Sequence, residues 1–357
     1  MTPIRPLRTG NKVWVFMSML RGGRGRFAAA TIVVGLMAAA LVSTADANTP
    51  AATPHLSGRY IALGDGVPYG HGLANPTKTK IDGLAPNQPP SRNAYPSRLA
   101  KTLGLTLTVR TKGCTLAGGQ LAVSGAPAVA DTVNSTDSDC GSTKRHKVVD
   151  PDEISKVAKS ATALVSIQVG ADDLAFTGCI LHELGVASTY KPLGQSPRKC
   201  TQGTGVTDTE ARRITRMRVG LNSVLNTIKN RLPNAIVVVV NYFQPIPAPS
   251  QYTTLDKSYV CRRLADPDRL QSAYQHAVIV GDALNRNIKQ ALATHEKVHL
   301  VNLALGSGFT GHAMCTKSPY LFAGGPQNRF WRMGQANLAG QAAIAAAVLH
   351  QVPSLHK

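Results

Sequence analysis

The sequence predicts one α/β domain over residues 59–352, a doubly wound sheet of about five parallel strands with helices on both faces and disulfide-stapled loop insertions. Three observations predict it. Short apolar, β-branched runs alternate with helical patterns along the chain. The central runs are apolar at nearly every position, as strands covered on both faces must be. Each run is followed by a helix or a helix-bearing segment, which is what parallel crossovers require. No internal repeat is visible, so a single domain with insertions is the simplest organisation.

The elements follow in order. Tyr60–Leu63 is a short apolar strand running into Gly64-Asp65-Gly66. Ala94–Leu103 predicts a helix, with Tyr95, Leu99 and Leu103 at four-residue spacing and Gly104 as its stop. Leu105–Val109 is a β-branched strand, and residues 124–147 are a polar loop. Ala161–Val169 is a continuous apolar run suited to a buried parallel strand. Residues 177–206 form a second polar excursion bracketed by cysteines. Thr209–Arg231 is a long amphipathic helix with Ile214, Met217, Leu221, Val224, Leu225 and Ile228 on one face. Its Arg212, Arg213 and Arg216 are expected to form a solvated face. Pro233-Asn234 ends it, and Ala235–Val240 is the next buried strand. A helix over Leu270–Leu292, a strand over Val298–Leu303 and an alanine-rich helix over Asn337–His350 complete the pattern.

The chain has 357 residues and a hydrophobic fraction of 43%, which suits a globular core and excludes disorder or a polytopic membrane protein. Its first 47 residues read as an export signal. Arg21, Arg24 and Arg26 precede the small, apolar run Phe27–Val42, and Ala45-Asp46-Ala47 fits a cleavage site. An uncleaved anchor is the alternative, and translation from Met17 or Met19 is a further one. Residues 48–58 read as a Pro/Ala/Thr linker. The expected location is therefore outside the cell or on its wall, with no membrane span once the leader is removed.

Cysteine usage agrees with export. Cys114, Cys140, Cys179, Cys200, Cys261 and Cys315 are even in number and form no C-x-x-C pair. Disulfides are expected, and metal or dithiol redox chemistry is not. Sequential pairing is favoured (114 with 140, 179 with 200, 261 with 315), because the first two pairs would each staple a polar loop. A chain-entropy account gives each loop about 3 kcal/mol. The formal charge is +20; without residues 1–47, 33 basic residues stand against 18 acidic ones, leaving +15. Such a charge favours anionic partners, here an anionic lipid or glycan of the cell envelope. No basic patch interleaved with aromatic residues argues for nucleic acid. No cofactor motif and no H-x-x-x-H metal spacing occurs.

In doubly wound sheets ligands bind beyond the carboxyl ends of the strands. Four blocks of this chain carry a resemblance there: Ala62-Leu63-Gly64-Asp65-Gly66, the stretch from Val165 through Gly170-Ala171-Asp172-Asp173 to Phe176, Gly311-His312-Ala313-Met314-Cys315, and Met333 to Gln341. In this order they resemble the secreted actinobacterial SGNH (GDSL) esterases, over roughly residues 58–350. The resemblance implies a flavodoxin-like three-layer fold and a serine nucleophile, an aspartate–histidine pair, and an oxyanion hole with a glycine amide and an asparagine.

Carried over residue by residue, most of that machinery is missing. The serine position is Gly66, the aspartate Arg332, the histidine Gln335 and the asparagine Asp172; Leu116 stands where a glycine is expected, with Gly118 or Gly119 as substitutes after a shift. Glycine cannot attack an ester, glutamine is no base near neutrality, and an ionised Asp172 would repel an oxyanion. These substitutions predict a pseudoenzyme that binds an acyl or glycan ligand in the cleft, with Asp65, Leu116, Asp173 and His312 in or beside it. The rival is an active ester hydrolase with a relocated nucleophile, for which Thr310 beside His312 is a candidate. A purely structural or partner-binding protein is the third reading. The retained residues also have plain structural readings. Asp65, Asp173 and Asn337 would cap helices or loops, Gly64 and Gly170 would permit turns, and His312 would make a structural hydrogen bond beside the Cys315 disulfide.

Overall fold

Among the described residues five parallel strands form the centre, in the spatial order Thr106–Arg110, Arg59–Gly64, Thr162–Gln168, Ile236–Val240 and Val298–Val301. A computed structural model describes residues 56–70, 73, 91–110, 161–171, 173–174, 176–185, 197–304, 308–323 and 333–356. The strands are β1 (Arg59–Gly64), β2 (Thr106–Arg110), β3 (Thr162–Gln168), β6 (Ile236–Val240) and β7 (Val298–Val301). A separate hairpin joins β4 (Thr201–Gln202) to β5 (Gly205–Val206). The helices are α1 (Gly66–Tyr69), α2 (Tyr95–Leu103), α3 (Phe176–Glu183), α4 (Asp208–Arg231), α5 (Tyr259–Arg263), α6 (Pro267–Leu292) and α7 (Leu338–Gln351).

The two-residue period of the strands divides the core into two layers. Tyr60, Ala62, Leu164, Val238 and Val240 face one side with α2 and α7, burying Leu99, Leu103, Ile344 and Val348. Ile61, Leu63, Val165, Ile167, Val237 and Val239 face the other with α4 and the later turns of α6, burying Met217, Leu221, Val280 and Leu284. Register aligns like with like: Ile61 lies beside Val165, and Val165 beside Val237. Each fully buried aliphatic side chain contributes roughly 1.5–3 kcal/mol. The predicted doubly wound architecture is thus the observed one, with strand and helix ends within a few residues of the sequence reading.

Helix starts are chemically marked. Thr207 caps α4 by accepting from the Glu210 amide at 3.3 Å. Asp266 caps α6 from the Asp268 and Arg269 amides at 3.0 and 3.1 Å, with Pro267 at the first helical position.

Two expectations need correction. Residues 177–206 are not only a polar loop: α3 lies within them, because Ile180, Leu181 and Leu184 give it a buried face. Arg213 is not solvated. It is buried and pairs with Glu210 at 3.7 Å, while Arg198 holds the same carboxylate at 2.8 Å; Arg212 and Arg216 remain exposed as expected. The short helices α1 and α5 carry too few residues for a periodic signal. Cys179–Cys200 and Cys261–Cys315 are bonded as the sequential pairing predicts; Cys114 and Cys140 lie outside the described residues, as do the proposed leader and most of the linker.

Candidate functional site

The carboxyl ends of β1, β3 and β6 converge on a buried polar cluster. Where β1 ends, Gly64 has φ +153°, and a Cβ there would meet the Gln168 carbonyl oxygen at 2.3 Å. Only glycine lets the two strand ends approach so closely. The Asp65 amide then donates to the same Gln168 carbonyl at 3.1 Å. This turn hands the chain from β1 to α1 and fixes where the next residue stands. That residue is Gly66, the buried first residue of α1.

Asp65 is the expected cap: its Oδ1 accepts from the Val67 amide at 3.1 Å. It also has a partner the sequence did not suggest, since the Tyr242 hydroxyl just past β6 donates to Oδ2. Only 2% of Asp65 is exposed. Burial lifts its carboxyl from 3.8 to about 6, against the opposing pull of the Tyr242 and Val67 hydrogen bonds.

Asp173 does not cap anything, contrary to expectation. It is 4% exposed, and neither carboxyl oxygen has a hydrogen-bond partner. Burial first, and then the charge of Asp65, push it to about 7. The chain reaches it through Gly170, whose φ of +126° makes the turn and whose missing Cβ would otherwise meet Leu284 at 2.8 Å. Two buried carboxyls that influence each other therefore sit at the strand ends, both raised well above the usual carboxylate range, Asp173 the further of the two.

The remaining predicted positions divide. Gln335 is half-buried. Its carbonyl accepts from the Phe322 amide at 2.9 Å, while its side-chain oxygen is buried without a partner. Asn337 caps α7 as expected, accepting from Gly340 at 3.0 Å and donating to the Pro319 carbonyl at 2.7 Å. His312 follows its structural reading: Nδ1 donates to the Ser318 carbonyl at 2.6 Å, and the ring stacks on Tyr320 with centroids 3.8 Å apart. Thr310 is exposed and is not a partner of that ring. Asp172, Arg332 and Leu116 lie outside the described residues.

Gln341 is the residue the sequence reading missed most clearly. Fully buried in the second turn of α7, it accepts from the Tyr95 amide at 2.7 Å and donates to the Val67 carbonyl at 2.9 Å. One side chain thereby ties α7 to α2 and to the turn carrying Gly66. The signal available was a glutamine among the alanines of the helix's first half. Asn241 works similarly at the end of β6. Its Oδ1 accepts from the Leu303 amide at 2.6 Å, and its Nδ2 donates to Asn302 at 2.8 Å. The rule that polar residues at strand ends mark the cleft covers Asn241 and Tyr242 as well as Asp65.

Chemically the cluster holds acids and hydrogen-bond donors. Residue 66 offers no nucleophilic side chain and residue 335 no base. Cys179, Cys200 and Glu210 form a close trio among the described residues, but the sulfurs are joined in a disulfide and the carboxylate belongs to Arg198. That group is structural.

No family model matches the chain, and no curated protein does. Among solved structures it is similar to an extracellular lipase from Streptomyces rimosus, at 19% identity over 83% of this chain and 100% of that one, with a TM-score of 0.47. A phospholipase A1 from Streptomyces albidoflavus NA297 follows at 18%, 83% and 100%, with a TM-score of 0.46. A family two carbohydrate esterase from Clostridium thermocellum shares 13% identity over 84% of this chain and 65% of that chain, with a TM-score of 0.37. At such values the likeness assigns neither an activity nor a site residue. By their descriptions these three proteins are a lipase, a phospholipase and a carbohydrate esterase.

Proposed function

We propose that this chain is a secreted SGNH-type protein that has lost serine-esterase chemistry and retains the cleft as a binding site for an acyl or glycan ligand of the cell envelope. The observation that carries the reading is Gly66. The turn that would present a nucleophile is intact, held by Asp65, Gly64 and Gln341, yet the presented residue has no side chain. The substitutions at Gln335, Arg332 and Asp172 agree with it, since no imidazole, orienting carboxylate or oxyanion-binding amide is left in the matching positions. The charge of +15 without the leader supports an anionic partner.

The test is a fluorophosphonate probe applied to the purified protein, with label located by mass spectrometry and p-nitrophenyl acetate turnover read in parallel. The expected result is no label and no turnover above a denatured control. A single labelled serine or threonine with turnover would replace this reading with that of an active hydrolase. One contact favours that second reading. Ser354 Oγ lies 3.3 Å from His299 Nε2, a serine–histidine pair beyond α7. The same mass spectrum tests it, because Ser354 is then the residue that carries the label.

A further inference from the structure

A cavity of about 530 Å³ opens at the other end of the sheet from Gly66. It lies where α4 and α6 finish and β6 and β7 begin, and its size falls within the roughly 300–1,000 Å³ range of small-molecule sites. Its floor is apolar: Leu225 and Leu232 from the end of α4 meet Val237 of β6. Its rim is charged, with Lys229 on the last turn of α4, Lys297 before β7, and Glu296 as the one carboxylate of the lining. With both lysines and Glu296 ionised, the lining carries one net positive charge.

His295 forms part of the wall and is 6% exposed. Its Nε2 lies 2.6 Å from Asn222 Oδ1; the amide oxygen accepts, so Nε2 carries the proton. Burial, and then the charge of Lys229, hold the ring below its usual range and keep it neutral near pH 7. The imidazole therefore adds no second positive charge. Its Nδ1 is left as an acceptor. Lys229 has a partial explanation as a cation at a helix C-terminus; Lys297 lies in the connection before β7 and has none of that kind.

From this arrangement we infer that the cavity binds a linear aliphatic monocarboxylate of medium chain length, with its carboxylate between Lys229 and Lys297 and its chain on the apolar floor. A single net positive charge matches a single anionic head. A doubly charged phosphate would leave one negative charge uncompensated, and a neutral alcohol would leave the one net positive charge of the lining unmatched.

The experiment titrates the purified protein with decanoate labelled with ¹³C at the carboxyl carbon and follows the carboxyl resonance, with unlabelled decanoate, decanol and acetate as competitors. Saturable binding is expected, displaced at least tenfold less effectively by decanol or acetate. The double variant Lys229→Ala/Lys297→Ala, which changes two exposed side chains, is expected to weaken binding at least tenfold. Ala235→Trp, which fills the cavity mouth, is expected to abolish it. No saturable shift would overturn the assignment. Binding unchanged in the lysine variant would place the ligand elsewhere, including the cleft beside Gly66, and overturn it equally. Decanol competing as well as unlabelled decanoate would refute the anionic head. The lysine variant keeps the proposal testable if Ala235→Trp does not fold.

Discussion

Replacing Asp173 with asparagine keeps the shape of a buried side chain and removes its ability to ionise. In the folded chain this carboxyl holds its proton until about pH 7, whereas the unfolded chain releases it near 3.8. Between those values the native state binds more protons than the unfolded state, so stability falls as pH rises from about 4 to about 7 and is level above that. The full difference corresponds to about 4 kcal/mol above pH 7. Asp65 acts with the same sign between 3.8 and about 6; because its charge is one cause of the rise at Asp173, the two contributions do not add. The neutral acid and the amide are both polar groups in the same buried place, so at pH 4.5 variant and wild type should agree within about 1 kcal/mol. At pH 8 the variant should then be more stable by about 3 kcal/mol, moving a urea midpoint upward by roughly 1 M or more. The assay is urea unfolding followed by far-ultraviolet circular dichroism at pH 4.5, 6 and 8. Midpoints of variant and wild type that run parallel across all three pH values would show that Asp173 ionises without cost, and the account of the buried carboxyl pair would fail.

Four other outcomes follow from the same cluster. Tyr242→Phe removes the hydroxyl that stabilises ionised Asp65, so it should cost about 1.5–3 kcal/mol above pH 7 and little near pH 4, read by the same unfolding series. Gln341→Ala orphans the Tyr95 amide and leaves the Val67 carbonyl only its bond from Gly70, and should cost about 1–3 kcal/mol at every pH, seen as a uniform fall in melting temperature. Gly64→Ala drives a methyl group against the Gln168 carbonyl and should cost at least about 2 kcal/mol or prevent soluble expression. Gly66→Ser places a hydroxyl at the start of α1 without a base at position 335, so p-nitrophenyl acetate turnover should stay at the wild-type background.

The sheet was legible because its strands announce themselves twice. Val165, Ile167, Val237 and Val239 are apolar on one face, and Leu164, Val238 and Val240 on the other, so the run itself implies cover on both sides. The α4 face was legible for the same reason, in helical period. Arg213 was not, because it pairs with Glu210 one turn earlier, a carboxylate also held by Arg198 from the segment before β4; charge spacing alone points it to solvent. Asp65 could be read as a cap from its place after a strand, since capping is local. Asp173 stands in a similar place and caps nothing, because the following Leu174 and Phe176 amides donate to the Gly170 and Ala171 carbonyls instead. Tyr242 and Gln341 owe their roles to partners 177 and 274 residues away, and no local pattern encodes such pairs.

Scaffold and chemistry at this site are separable, and the residues show why. Nothing that positions residue 66 uses its side chain. The turn is set by Gly64 against Gln168, the helix start by the Asp65 carboxylate on the Val67 amide, and the helix end by Gln341 on the Val67 carbonyl. A change from serine to glycine at 66 would therefore leave every one of these contacts in place, and its local cost is the backbone entropy of one glycine at a helix start, about 1 kcal/mol or less. The buried carboxyls argue in the other direction. Holding Asp65 and Asp173 away from water destabilises the fold at neutral pH, and asparagine at 173 would relieve it. Stability alone therefore does not account for Asp173. Where Asp173 keeps its proton, near and below pH 7, its carboxyl is a hydrogen-bond donor that asparagine reproduces only in part, and the ligand proposed above would offer it an acceptor.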